Sequence, residues 1–154
     1  MINQIEMRLS QLGIHLPEAF APVADYRSFA RSGNLVYIAG QVSKGTNGGI
    51  HGIVGLDIDL VEAAGAARLC GLNLLAQMKV ACDGDLDRVA QIVKLNVFVQ
   101  AGPDIEDLPA VSDGCSSLLA EIFGEKGRAA RTTVGVYRLP SDHAVEADAV
   151  FETR

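Results

Sequence analysis

The apolar positions of this chain repeat with two periods, and the changes of period divide it into elements. Ile2, Ile5, Leu9 and Leu12 recur at helical spacing, which predicts a short amphipathic helix over residues 2–12 ended by Gly13. Residues 15–24 carry Pro17 and Pro22 and predict an extended loop. Residues 25–31 and 34–39 read as paired strands around a Ser32-Gly33-Asn34 turn. The second of these, Leu-Val-Tyr-Ile-Ala, is a near-continuous apolar run of the kind found in central strands, and it ends at Gly40-Gln41. Residues 43–55 are crowded with glycine and predict a flexible excursion or an irregular hairpin. The order Lys44-Gly45-Thr46 is not that of a phosphate-binding loop.

Asp59 or its neighbour is placed to cap a long helix running to about Val80, with Val61, Ala64, Leu69, Leu72, Leu75 and Ala76 as its apolar stripe. Residues 63–67 have little side-chain bulk, so that turn can sit close to a sheet. An acidic connection over residues 83–87 leads to the strongest strand signal, residues 89–99. Pro103 and Asp104 open a second helix through Leu108, Val111, Cys115, Leu118, Leu119 and Ile122 to Phe123, with Gly124 as its stop. Residues 132–137 and 145–152 then read as the two strands of a hairpin, turned by Pro140, Ser141 and Asp142.

The order strand, strand, helix, strand, helix, strand, strand predicts an α+β fold: one sheet, with two long helices on one face. The other face keeps apolar residues, and an uncovered apolar face predicts a homo-oligomer. At 154 residues the chain fits one domain with a real core. No apolar run is long enough to span a bilayer, and the N-terminus lacks the pattern of a signal peptide. Cys70, Cys82 and Cys115 are an odd set without metal-ligand spacing, which predicts reduced buried thiols in a cytoplasmic protein. The net charge of -6 and the scarcity of aromatic residues argue against a nucleic-acid surface.

Two charged residues stand on the apolar frame of the C-terminal strands. Arg131 begins the first, and its planar guanidinium can hold a carboxylate through two parallel hydrogen bonds. Glu146 interrupts the second and can orient a water or take its proton. By alternation Arg131 sides with Thr133, Gly135 and Tyr137, and Glu146 with Asp148. The pattern alone favours a structural ion pair across a hairpin. Tyr26 reads as a strand-edge aromatic and Cys115 as a core residue. His51 and His143 read as solvated loop histidines. His15 has no ligand-spaced companion, so no metal site is assigned. Arg27, Arg31 and Arg128 read as surface charges, with Arg31 also a candidate for a subunit interface.

Three stretches, in order and at consistent spacing, resemble the reactive-intermediate deaminase family (Rid, YjgF-like, also known as L-PSP endoribonuclease). They are Pro22-Val23-Ala24-Asp25-Tyr26 with Ser32-Gly33-Asn34-Leu35-Val36-Tyr37-Ile38-Ala39-Gly40-Gln41; Val97-Phe98-Val99; and Ala130-Arg131-Thr132-Thr133-Val134-Gly135-Val136 with Leu139-Pro140 and Val145-Glu146. The resemblance implies a chorismate-mutase-like α+β fold over residues 1–154, with residues 1–20 as an N-terminal helical extension. It implies a homotrimer with ligand clefts between subunits. It also implies hydrolysis of 2-imino and 2-enamino acids to 2-keto acids and ammonia, without metal or organic cofactor.

Carried over by position, Arg131 binds the substrate carboxylate and Glu146 orients water. Tyr26 lines the cleft, and the backbone around Gly40 and Thr133 hydrogen-bonds near the reacting carbon. Asp113 is the counterpart of an asparagine in archetypal members, Thr133 stands where they often have cysteine, and Ala147 replaces a larger aliphatic residue. With the loop at residues 123–128 and the added N-terminal helix, these departures point to a distinct YjgF-like branch. A trimer that binds small carboxylates without turnover, and an endoribonuclease, are the alternative functions.

Overall fold

A computed structural model of the protein describes residues 3–154. Helix α1 (Gln4–Gln11) is capped by the Asn3 side chain, which accepts from the Glu6 amide. Ile2, the first position of the predicted stripe, lies outside the described residues. A hairpin of β1 (Phe29–Ser32) and β2 (Leu35–Val42) follows. Helix α2 (Leu60–Ala81) begins where Asp59 accepts from the Glu62 amide, as its sequence predicts. Strand β3 (Val89–Gln100) and helix α3 (Leu108–Phe123) come next, then β4 (Ala130–Val136) and β5 (Val145–Thr153). The five strands form one mixed sheet in the order β1-β2-β5-β3-β4, in which only the β3–β4 pair is parallel.

The C-terminal strands are therefore not a hairpin. β5 lies between β2 and β3, and β4 is left on the outer side of β3 as an edge strand. Gln100, fully buried at the end of β3, holds the crossing segment in place. Its side chain accepts from the Leu139 amide at 2.8 Å and donates to Gly52 O at 3.1 Å and Asp142 Oδ1 at 2.8 Å. Val145, Ala147, Ala149 and Phe151 are all within 1% of complete burial, as a central strand requires. Short-range alternation specifies which face each residue takes but not which strand is its neighbour.

The helices cover one face. Ala63, Ala66, Ala67, Cys70, Leu74, Leu75 and Met78 of α2 are completely buried, so the buried stripe is rotated from the predicted one and Val61 is 82% exposed. The small-residue turn of α2 also lies tightly against α3. A Cβ on Gly114 would run into the Ala64 carbonyl, and one on Gly71 would meet Leu118 and Cys115. Helix α3 starts at Leu108, five residues later than Pro103 suggests, because Asp107 supplies the cap by accepting from the Ala110 amide. Each large apolar side chain taken into this core stabilises by about 1.5–3 kcal/mol.

Helix α1 packs against the body beside α3. The Asp87 carboxylate accepts from the Gln4 and Ile5 amides, both at 2.8 Å, Arg8 Nε donates to Glu121 O, and Lys79 pairs with Glu6. On the sheet face away from the helices Tyr37 and Val134 are 48% and 41% exposed, and Phe98 and Val150 are only partly covered. Among the described residues no helix is long and apolar enough to cross a membrane.

Candidate functional site

Glu146 sits on β5 opposite Phe98 of β3 and Val42 of β2, on the face away from the helices. The β2–β5 register shifts between Ile38 and Gln41, and this irregularity brings Gly40 beneath the Glu146 carboxylate. A Cβ on Gly40 would collide with that carboxylate, so the absence of a side chain makes the approach possible. Burial pushes the Glu146 carboxyl above its ordinary range, and the neighbouring Asp148 charge adds to the rise. Asp148 itself accepts from Asn96 at 2.7 Å.

A cavity of about 350 Å³ opens over Glu146 and Gly40. Tyr26 forms part of its wall and is 49% exposed; it lies in the bend before β1, which begins only at Phe29, and not on a strand edge. The glycine-rich residues 43–55 close another side. They are tied down rather than a free excursion: Ile50 N donates to Ser43 O, Ala144 N to Ile50 O, and Gly52 N to Asp142 O. The ties bring His51 against His143, with ring centroids 4.3 Å apart, and both histidines line the cavity.

His143 is 6% exposed rather than solvated. Its Nδ1 donates to Pro140 O at 2.9 Å, which fixes the tautomer, and its buried Nε2 has no partner among the described residues. His51 remains exposed, with Nδ1 3.0 Å from Ser141 O and Nε2 3.2 Å from Gly48 O. Sequence reasoning missed this pair because the two residues lie far apart in the chain. No periodic signal marks loop residues that meet only through long-range backbone bonds.

Arg131 lies elsewhere. It pairs with Leu95 on the helix-covered face of β4, and its Nη1 donates to Asp113 Oδ1 at 2.7 Å and to Ser116 Oγ at 3.1 Å on α3. Its side chain keeps 24% of its exposure. Thr133, two residues on along the same face, donates to Ser112 Oγ at 2.8 Å, and Ser112 donates on to Pro109 O. The structure thus gathers Tyr26, Gly40 and Glu146 at one cavity, and Arg131, Thr133 and Asp113 at the β4 edge. It rules out an Arg131–Glu146 ion pair across a hairpin within one chain. Cys115 is buried beside Arg131 in α3; burial pushes its thiol up to about 12, and the guanidinium only partly opposes this, so it is a core thiol. Arg31 is also more than a surface charge, since it donates to Thr153 Oγ1 and Ala81 O. Among the described residues no group of three His, Cys, Asp or Glu side chains could hold a metal ion.

A five-stranded mixed sheet backed by two long helices places the chain in the α+β class. The family described as "YjgF/chorismate_mutase-like, putative endoribonuclease" matches residues 6–145, and the chain belongs to it. It is 43% identical to protein TCP17 of Trypanosoma cruzi over 97% of this chain and 94% of that protein. The crystal structure of Atu1372, a protein of unknown function from Agrobacterium tumefaciens, superposes with a TM-score of 0.91 at 42% identity, covering 97% of this chain and 92% of that one. A 2-iminobutanoate/2-iminopropanoate deaminase of Dermatophagoides farinae is 28% identical over 89% of this chain and 92% of its own length.

Proposed function

We propose that the protein hydrolyses 2-imino and 2-enamino acids to 2-keto acids and ammonia, in clefts completed between copies of the chain. The observation that carries this reading is the Glu146 carboxylate, half-buried over Gly40 at a cavity that contains no arginine of its own chain. The complementary fork, Arg131, stands at the exposed sheet edge with one nitrogen engaged. The likeness to an imine deaminase supports the same chemistry. A homotrimer, in which β4 of one copy borders the cavity of the next, would bring the halves together and cover the apolar face around Tyr37 and Val134.

In that cleft Arg131 holds the substrate carboxylate and the backbone at Gly40 and Thr133 contacts the reacting group. Tyr26 packs on the substrate body, and Asp113 positions the guanidinium. Glu146 takes a proton from water as its oxygen bonds to C2 of the iminium. Glu146 returns that proton to the nitrogen of the resulting carbinolamine. As the C–N bond breaks, the hydroxyl oxygen forms the C2 carbonyl, and its proton passes to Glu146 and then to the departing ammonia, which leaves as ammonium. Raising the Glu146 carboxyl toward neutrality suits such a shuttle. The carbon is already electrophilic, so positioning supplies much of the acceleration.

Binding without turnover is the second reading, and one contact favours it: Asp113 already occupies Arg131 as an internal carboxylate. Ribonuclease action has the net charge of -6 against it. The test is to generate imines in place with an amino-acid oxidase and measure their capture by semicarbazide. Protein that speeds hydrolysis lowers the captured fraction, and Arg131→Ala and Glu146→Gln should each abolish the effect. Capture unaffected by the protein across several parent amino acids would sink the deaminase reading. A ligand-dependent rise in melting temperature without turnover, lost in Arg131→Ala, would establish the binding module instead.

A further inference from the structure

At the cavity over Glu146 stands an exposed lysine that imine hydrolysis as such does not use. Lys44 lines it together with Phe20, Tyr26 and Glu146. The Lys44 backbone is pinned from the core. Asn73, 3% exposed on α2, donates through Nδ2 to Val42 O at 3.1 Å and to Lys44 O at 3.0 Å. The Lys44 ammonium stands 4.2 Å from the centroid of the Phe20 ring. Phe20 is fixed in turn, because buried Gln77 donates to its carbonyl at 2.8 Å.

A lysine serving only solubility needs neither restraint. The cation–π contact, about 0.5–1 kcal/mol at an exposed site, biases the Lys44 ammonium toward the cavity mouth. Lys44 forms no ion pair among the described residues, although Glu146 shares its cavity. Both ring nitrogens of His51 and Nδ1 of His143 face backbone carbonyls, and among the described residues Lys44 is the one lysine or arginine in the lining. The cavity therefore presents one available positive charge, set apart from its carboxylate.

We propose that the substrates are 2-imino acids with a second carboxylate on the side chain, and that Lys44 is the specificity-determining residue that holds it. This rests on the deaminase reading and extends it. The first carboxylate goes to Arg131, C2 lies at the water held by Glu146, and the distal carboxylate meets Lys44. The step remains the hydrolysis already written, with nothing added to its balance.

The experiment compares imines made from D-aspartate and D-glutamate by D-aspartate oxidase with those made from D-alanine and D-methionine by D-amino-acid oxidase, using the semicarbazide readout. The expected result is a kcat/KM about tenfold higher for the acidic imines, the scale of one charge-assisted contact. Lys44→Met should collapse that acidic-to-neutral ratio, and Lys44→Arg should keep most of it. A ratio near one in the wild type, or one unmoved by Lys44→Met, overturns the proposal while leaving deamination standing. If no imine is turned over, the deaminase reading fails by itself, and binding of 2-oxoglutarate against 2-oxobutanoate decides. A preference for 2-oxoglutarate that Lys44→Met removes upholds Lys44 as the distal-carboxylate site while the substrate assignment falls with the deaminase reading, and no preference overturns both.

Discussion

Arg131 and Glu146 stand on opposite faces of one sheet, the first bonded to helix α3 and the second over Gly40 at the bare face. If they act on one substrate, they must come from two copies of the chain. Arg131→Ala and Glu146→Gln should each be inactive alone. Co-expressed in equal amounts, they should regain activity, since about a quarter of the clefts in randomly mixed closed oligomers pair an intact arginine with an intact glutamate. Imine capture on the co-purified mixture measures this. No recovery from verified mixed oligomers would place the working site within a single chain.

Because burial, and then Asp148, raise the Glu146 carboxyl, the acid side of the pH profile should reflect that shift. The ionised form is the proton acceptor, so kcat/KM should fall as pH drops through a midpoint above the ordinary 4.5. Asp148→Asn removes a like charge and eases ionisation of Glu146. The midpoint should move to lower pH, whereas loss of a purely structural group would lower the plateau without moving the limb.

Gly40→Ala places a methyl group where the Glu146 carboxylate lies. The side chain must turn aside, and misplacement by about 1 Å is enough to lower kcat/KM on the order of a hundredfold. The melting temperature should change little, because the collision is with the end of a side chain that can move. Steady-state kinetics beside thermal unfolding separates the two effects.

Gly114→Ala is the opposite case. Its methyl group meets the Ala64 carbonyl of the neighbouring helix backbone, which cannot swing away. Overpacking of this kind should destabilise by about 1–3 kcal/mol, seen as a lower urea midpoint. Val61→Ala, at a site 82% exposed, should stay within about 0.5 kcal/mol of the parent.

Local pattern was enough for much of the fold. Asp59 marks the start of α2, Gly124 marks the end of α3, and Ile92 to Val99 spells out β3. Each signal is contained within a few residues, where capping and side-chain alternation act. Alternation also placed Arg131 with Thr133 and Glu146 with Asp148, as the strand registers bear out. The burial of His143 was not legible. It depends on Gly52, Gln100 and Asp142, which come together only when the glycine-rich residues fold back on the segment before β5.

The sequence by itself determined the order and kind of the elements, the alternation of faces along the two C-terminal strands, and the family to which the chain belongs. These follow from near-neighbour chemistry and from spacing along the chain. Only the tertiary structure decided that β5 passes between β2 and β3, which sends Arg131 and Glu146 to opposite faces of the sheet. Adjacency of strands is a choice among distant partners with similar apolar faces. It is settled by packing against α2 and α3 and by buried contacts such as those of Gln100, none of which a local period encodes.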